Sequence, residues 1–494
     1  MTSRFRRRRL FDRSLAALLA VAVAVIGVLV YRSSDIRNTS LDTSKPQQAP
    51  PGAWAAASVP SPSTRIPTTL AQKWIAATDP ELGAVVSESG VVITADQHRI
   101  SAHDSVTGVV RWSYTRANRD LCAVGSGDSG PADMSSISGV AGIATVYAEN
   151  GFCSQVMTFD PVNGSRSKVR TSPNQLPGSL VFGGPYAGWL GASRVEVWRY
   201  DLVRTIQYGE QINPLKSGQS RSGCTFTDLA LAASQFATVE HCAAEGPNAR
   251  VVLNFDDPGA VTNHPDGWDF MQHTIRVDIN TGAKAARIVG VTADRVAVLV
   301  STPRPAVVVY DALGKETART PVDIPAADIA AADSVDRPAR PTPSVQIDGQ
   351  RLSLIGRSVL AISTPTIQAV PPATAFSGTS TSTTTSAPSS GPLGSGVLGS
   401  GVLGSVSPPK TADIVDLHVD WVAGNALGLP AAVGSMVLLP TAKGLSEFDA
   451  ATGPHQLVDK VIPINRDGYS GRVDVSAVGE TIVEKRGSSV VAFG

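Results

Sequence analysis

Two kinds of apolar patterning divide this chain. Residues 15–31 read LAALLAVAVAVIGVLVY, seventeen apolar positions without a charge or a proline. As a helix they cover roughly 25 Å, about the thickness of a hydrocarbon core. From residue 69 onward the apolar positions fall into short Val- and Ile-rich runs separated by turns. Gly90-Val91-Val92-Ile93-Thr94 predicts one strand, and His98-Arg99-Ile100-Ser101-Ala102-His103-Asp104 alternates as the next. Thr107-Gly108 and Val109-Val110-Arg111-Trp112-Ser113-Tyr114 follow, giving strand, turn, strand, Asp-x-x-Thr-Gly turn, strand. In such a turn the Asp carboxylate accepts bonds from nearby backbone N–H groups and the Gly supplies positive φ.

The phrase returns. Asp104 with Gly108 is its first copy, and Asp160 with Gly164, Asp278 with Gly282 and Asp449 with Gly453 repeat it. Asp311 with Gly314 is a shortened copy, and Trp198-Arg199-Tyr200-Asp201 is a copy without its glycine. Asp278 and Asp311 lie 33 residues apart, and Asp160 and Asp201 lie 41 apart. That period suits a four-stranded sheet as the repeating unit. Such sheets cannot bury both faces alone, so they stack around an axis as a β-propeller. The expected fold is therefore all-β, a propeller of about seven four-stranded blades, with eight also compatible, preceded by one N-terminal transmembrane helix. Two β-sandwiches are the alternative. The last strands, Thr481–Lys485 and Ser489–Phe493, end at the C-terminus, so strand exchange between first and last blades is the expected closure. Only 325–332 reads as helical, with the proline at a first helical position.

Charge patterning places the chain. Six arginines and Asp12 give residues 1–13 a charge of +5, so with a net charge of zero the remainder carries −5. A basic cluster before an apolar helix predicts a cytoplasmic N-terminus and an exported body. A cleaved signal peptide competes with this reading, although the residues after the run, Tyr31 and Arg32, suit cleavage poorly. The expected order is a cytoplasmic basic segment at 1–14, a transmembrane helix at 15–31, a proline-rich tether at 32–68 and the propeller at 69–494. A flexible Ser/Thr/Gly-rich insertion between blades is expected at 371–410, marked by its repeated GVLGS. The acidic body lacks clustered Lys and Arg, which argues against nucleic acid as a partner. Four cysteines in an oxidising compartment read as two disulfides among Cys122, Cys153, Cys224 and Cys242. Three connectivities exist; sequence order favours Cys122–Cys153 and Cys224–Cys242.

Ala102, Asp104, Thr107, Gly108 and Trp112 together resemble the PQQ-like, quinoprotein alcohol-dehydrogenase-type propeller repeat, A-x-D-x-x-T-G-x-x-x-W. Only the first copy keeps the tryptophan at that spacing. The chain also resembles Ala/Val-rich membrane-anchored propellers of actinobacteria, over roughly 70–370 and 411–494. The resemblance implies the fold. It also raises a quinone cofactor clamped near adjacent cysteines with calcium and a catalytic aspartate. No adjacent cysteines occur in this chain, so no cofactor is expected.

Candidate chemistry is sparse. Gly127-Asp128-Ser129-Gly130-Pro131 looks like a serine-protease nucleophile loop, with His103 as its histidine. Yet the second glycine is missing and His103 falls inside a repeat strand, so a Gly/Ser-rich loop is the better account. The densest polar cluster is Asp256, Asp257, His264, Asp266, Trp268, Asp269 and His273, a candidate ligand loop whose spacing fits no EF-hand or His-x-x-x-His pair. No catalytic or metal residues stand out. The expectation is a non-enzymatic membrane-anchored scaffold for envelope proteins at the cell membrane, single-pass with its body outside. The alternative is a binding protein for an envelope glycolipid, sugar or peptidoglycan fragment. A hydrolase with scattered residues is a third reading.

Overall fold

The computed structural model describes residues 2–43, 63, 65–87, 89–127, 142–199, 201–212, 221–255, 275–347, 349–363, 417–454 and 460–494, with side chains from Arg13 onward. The described strands make eight antiparallel sheets, so the propeller has eight blades. In chain order blades 1 to 7 span 84–116, 121–171, 178–209, 224–280, 286–321, 344–423 and 431–463. Each is a meander of four strands, a to d from the axis outward. Blade 8 takes strands a to c from 473–493 and strand d from Gln72–Ala77. The pairing of Ile75 with Val491 and of Ala77 with Ser489 closes the ring, as the terminal strands predicted.

The Val-rich runs are buried on both faces because every blade is sandwiched between two others. Eight separate apolar clusters result, one in each interface between neighbours. The seam between blades 8 and 1 is the smallest, built from Ala84, Val92, Val483, Val490 and Ala492 with Trp74 laid against them.

The turn chemistry is visible atom by atom. Asp104 accepts from the N–H groups of Val106 and Thr107 at 3.1 and 2.9 Å, and Gly108 has φ 73°. Asp160, Asp311 and Asp449 accept from the backbone in the same way, and Gly164, Gly314 and Gly453 take positive φ. Asp201 also caps a c–d turn, where buried Leu202 takes φ 63° in the glycine's place. Asp278 differs. It lies within the outer strand of blade 4, Ile275–Asn280, and pairs with Arg250 at 2.7 Å, so Gly282 belongs to the next connection. Blade 4's own c–d connection is 256–274, and blade 6's contains 371–410, so that insertion lies within a blade and not between blades as expected. Insertions thus replaced the repeat turn in both blades.

Three tryptophans lock neighbouring blades at these turns. The Trp74, Trp112 and Trp421 indoles donate to the carbonyls of Ser105, Pro161 and Ala450, each in the next blade's turn, at 3.0, 2.9 and 2.7 Å. A Cβ on Gly164 would meet the Trp112 ring at 2.6 Å, whereas at Gly282 nothing lies within 4 Å. Gly164→Ala should therefore cost about 2–4 kcal/mol, combining left-handed strain with overpacking, and Gly282→Ala only the strain of about 1–2 kcal/mol. Denaturant midpoints of the two variants measure the difference.

The N-terminus departs from expectation. One helix, Thr2–Ser33, carries the apolar run, and its stretch Arg13–Ser33 is long and apolar enough to cross a membrane or to act as a signal sequence. Its exit is not a free tether. Residues Asp35–Asn38 make a helical turn, and Thr39–Thr43 then pairs with the outer strand of blade 1, from Thr39 opposite Arg116 to Thr43 opposite Trp112. Asp35 accepts from Arg116, Asn118 and Arg119 at 2.7, 2.9 and 3.1 Å. Partial burial works to raise the Asp35 carboxyl, but the Arg119 and Asn118 bonds and the Arg116 charge outweigh it, holding it at about 2. The stabilisation is thus complete above pH ~4 and fades as pH falls through about 2. Protection factors of the 39–43 amides, taken against the intrinsic exchange rate at each pH, should be high at pH 5, lower near pH 2, and lower at both in Asp35→Ala. The proline-rich residues 46–62 come after this strand and lie outside the described residues.

Candidate functional site

Strand direction alternates, so the d-to-a connections and b–c turns share one face, here called upper, and the a–b and c–d turns share the lower face. Both disulfides are on the upper face, Cys122–Cys153 in blade 2 and Cys224–Cys242 in blade 4. The pairing is the sequential one. Cys224, Glu240 and Cys242 lie close enough to resemble a metal site, but both sulfurs are consumed by the disulfide. Glu240 instead accepts from Tyr208 at 2.7 Å and Arg221 at 2.6 Å, and its complete burial raises its pKa.

His103 is a structural residue. Its ring stacks on Trp74 at 5.9 Å, linking blade 8 to blade 1. Nδ1 donates to the Gly108 carbonyl at 3.0 Å, which leaves Nε2 to accept from the Thr94 hydroxyl at 3.0 Å. Burial lowers its pKa, so the ring is neutral. Ser129 lies outside the described residues, as do Asp256, Asp257, His264, Asp266, Trp268, Asp269 and His273. The described ends of that candidate ligand loop, Phe255 and Ile275, sit on the lower face.

The upper face holds a feature that no single motif announces. The connection from blade 5 to blade 6, residues 322–343, reaches across the axis as a cap. It contains the helix Ala326–Ala332, with Pro325 at the N-cap rather than inside the first turn. Ser179 of blade 3 donates to the Ala339 carbonyl at 2.9 Å, and Arg340 meets Glu81, beside blade 1, at 3.1 Å. Asp333 accepts from the Ala286 N–H, pairs with His241 at 2.9 Å and takes a short bond from Thr227. Asp228, nearly fully buried, accepts from the N–H groups of Ile288 and Thr342 at 2.9 and 2.8 Å. Arg287 pairs with Asp228 at 3.2 Å and donates to the carbonyls of Thr227, Ala332 and Arg340. Backbone groups that a long connection would otherwise leave dry are thereby satisfied, which fixes the cap rigidly.

Between the cap and blades 6 to 8 lies a cavity of about 570 Å³. Its lining includes Arg287, Arg337, Arg340, Arg357 and Arg472 and contains no carboxylate. Arg287 is held by Asp228, Arg472 by Asp474 at 3.0 Å and Arg340 by Glu81, three of the five. The Arg340–Glu81 pair is mostly exposed and so contributes little. The Arg337 and Arg357 guanidinium groups make no ion pair among the described residues, and both are exposed. Arginines without matched carboxylates, arranged around a concavity, attract oxyanions.

No family model matches this chain, and no curated protein matches it. Among solved structures it is similar to a chain of "Crystal Structure of Mitotic Checkpoint Complex", at 11% identity over 61% of this chain and 83% of that chain, with TM-score 0.33. It is also similar to "Dihydro-heme d1 dehydrogenase NirN in complex with DHE", at 9% identity over 66% of each chain, with TM-score 0.34. Neither likeness bears on what this chain does.

Proposed function

We propose that this chain is a single-pass membrane protein whose propeller lies outside the cytoplasm and acts as a non-enzymatic scaffold for envelope proteins. The hitch at residues 35–43 carries this reading. It joins the apolar helix to the upper rim of blade 1 through main-chain pairing and the Asp35 cluster, so the body would sit at the membrane surface rather than at the end of a tether. The basic residues before the helix and two disulfides behind it support export. The lower face, turned away from the hitch, carries the flanks of the long connections 127–142, 256–274 and 364–416, and loops on a rigid wheel are where recognition resides.

The repeat itself is read as PQQ-like, in keeping with the Asp-capped turns and the three docked tryptophans. The cofactor of that class does not fit. The four cysteines are spent in two disulfides, each between positions remote in sequence, and the cavity under the cap is lined by arginine rather than by carboxylates that could hold calcium.

Protease added to spheroplasts should digest the body while residues 1–14 stay protected. In-cell crosslinking should capture membrane or cell-wall-assembly proteins. Removing 371–410, within a lower-face connection, should leave the melting temperature unchanged while altering the captured set. A body inaccessible to protease would end the topological reading, and an identical captured set would remove that connection from the scaffold surface.

A further inference from the structure

We infer that the arginine-lined cavity under the axial cap binds a phosphorylated ligand, either a lipid headgroup or a small soluble phosphate. Four stretches of chain remote in sequence converge there: Arg287 from blade 5, Arg337 and Arg340 from the cap, Arg357 from the b–c turn of blade 6 and Arg472 from the connection into blade 8. Arg287 is nearly fully buried, and its five bonds and contacts make the cavity floor rigid. Arg337 and Arg357 stand at the rim with guanidinium forks that make no ion pair among the described residues. The Asp328 carboxylate abuts Gly356 at the edge but does not line the space. Phosphate accepts several charge-assisted bonds at once and matches the planar fork of arginine. The volume of about 570 Å³ accommodates a sugar phosphate or a phospholipid headgroup.

Position supports the lipid source. The cavity opens on the upper face, the face at which Asp35–Asn38 joins the body. On the membrane-anchored reading, this face is turned toward the headgroup layer. The anion site itself does not depend on that reading, since it rests on the arginines alone.

The test uses the full-length chain in dodecyl maltoside micelles, which carry no phosphate, at low ionic strength, titrated with glycerol 1-phosphate and with inorganic pyrophosphate by calorimetry. The wild type should bind, more weakly as salt rises. The double variant Arg337→Ala/Arg357→Ala should bind at least about tenfold more weakly, the loss expected for two charge-assisted contacts. Its melting temperature without ligand should match the wild type, because neither side chain has an ion-pair partner to lose among the described residues. The single variants serve the same comparison should the double variant melt early. Phosphatidylglycerol nanodiscs separate the sources. A lipid ligand would occupy the cavity and suppress the soluble titration in the wild type, whereas a soluble ligand would titrate alike in micelles and discs. No binding by the wild type, or equal binding by the variants, overturns the proposal. A failed topology experiment with phosphate binding intact would remove only the lipid source.

Discussion

A chain beginning at residue 84, without Gln72–Ala77, is expected to lose its cooperative melt and to aggregate, whereas one beginning at residue 65 should melt near the full-length protein. The first truncation removes strand d of blade 8. Ser489–Phe493 then becomes an open edge on which Val490, Val491 and Ala492, now almost completely buried, face water. Trp74 leaves the seam with it, taking its bond to Ser105 and its stack on His103. Burial of one large apolar side chain contributes about 1.5–3 kcal/mol, so loss of Trp74 and exposure of its neighbours removes several kcal/mol from a net stability of about 5–15 kcal/mol. The exposed strand edge adds an aggregation route. Among the described residues the second truncation removes chiefly the helix, the Asp35–Asn38 turn and Thr39–Thr43, whose side chains are mostly exposed, while Arg116 and Arg119 keep Gln155 and Glu149 as partners. Thermal melts followed by near-ultraviolet dichroism, with size-exclusion profiles, compare the two. Equal melting of both truncations would show that the ring does not need its closing strand.

Both disulfides add to this frame. Loop-entropy arguments give each about 3–4 kcal/mol, so reductant should lower the melting temperature of the full chain appreciably. Cys224 and Cys242 sit directly opposite in neighbouring strands of blade 4, and Cys122 and Cys153 join two strands of blade 2. Each bridge therefore reinforces one blade. Blade-to-blade cohesion has to come from other groups.

The local features were legible because local rules write them. Asp104 and Gly108 announce their turn through types and spacing, and the apolar run before Tyr31 announces its helix by length. Closure was legible because a ring with a final strand at the terminus needs a partner from the other end. The blade count was blurred by insertion: 256–274 and 364–416 stand where blades 4 and 6 would show the repeat phrase. Asp278 misled because Asp-x-Asn-Thr-Gly reads as a turn, yet Val277 and Ile279 belong to an outer strand. The hitch was invisible because Thr39-Ser40-Leu41-Asp42-Thr43 has little apolar content; its partner strand and Asp35's arginines hold it. Trp421 follows a long insertion and Trp74 precedes the first repeat, so neither carried the spacing of Trp112. The cavity under the cap draws on residues from 227 to 472, a convergence that only the closed ring creates.

Long-range charge pairing was equally hidden, and it yields the second large expected effect: Glu484→Ala should destabilise the protein by about 3–5 kcal/mol. Glu484 has no exposed surface. Arg466, in the connection from blade 7 to blade 8, donates to it from Nη2 at 2.6 Å and Nε at 3.0 Å, and Arg486 donates at 2.7 Å. Arg466 also donates to the Thr441 carbonyl at the b–c turn of blade 7, so one carboxylate fastens two blades. Truncation leaves two buried cations facing each other without a counter-charge, which is costlier than the lost bonds alone. Glu196 with Arg170 and Arg194, and Glu240 with Arg221, repeat the device around the ring. A triple variant, Glu484→Ala/Arg466→Met/Arg486→Met, separates the two causes. If the stranded charges are responsible, the triple variant regains much of the loss, because apolar replacement of a whole buried ionic group is often neutral. If it is no more stable than Glu484→Ala, the bonds to Thr441 and the shape of the arginines hold blades 7 and 8 together, and the carboxylate only positions them. Urea midpoints of the three proteins at pH 7 decide between these outcomes.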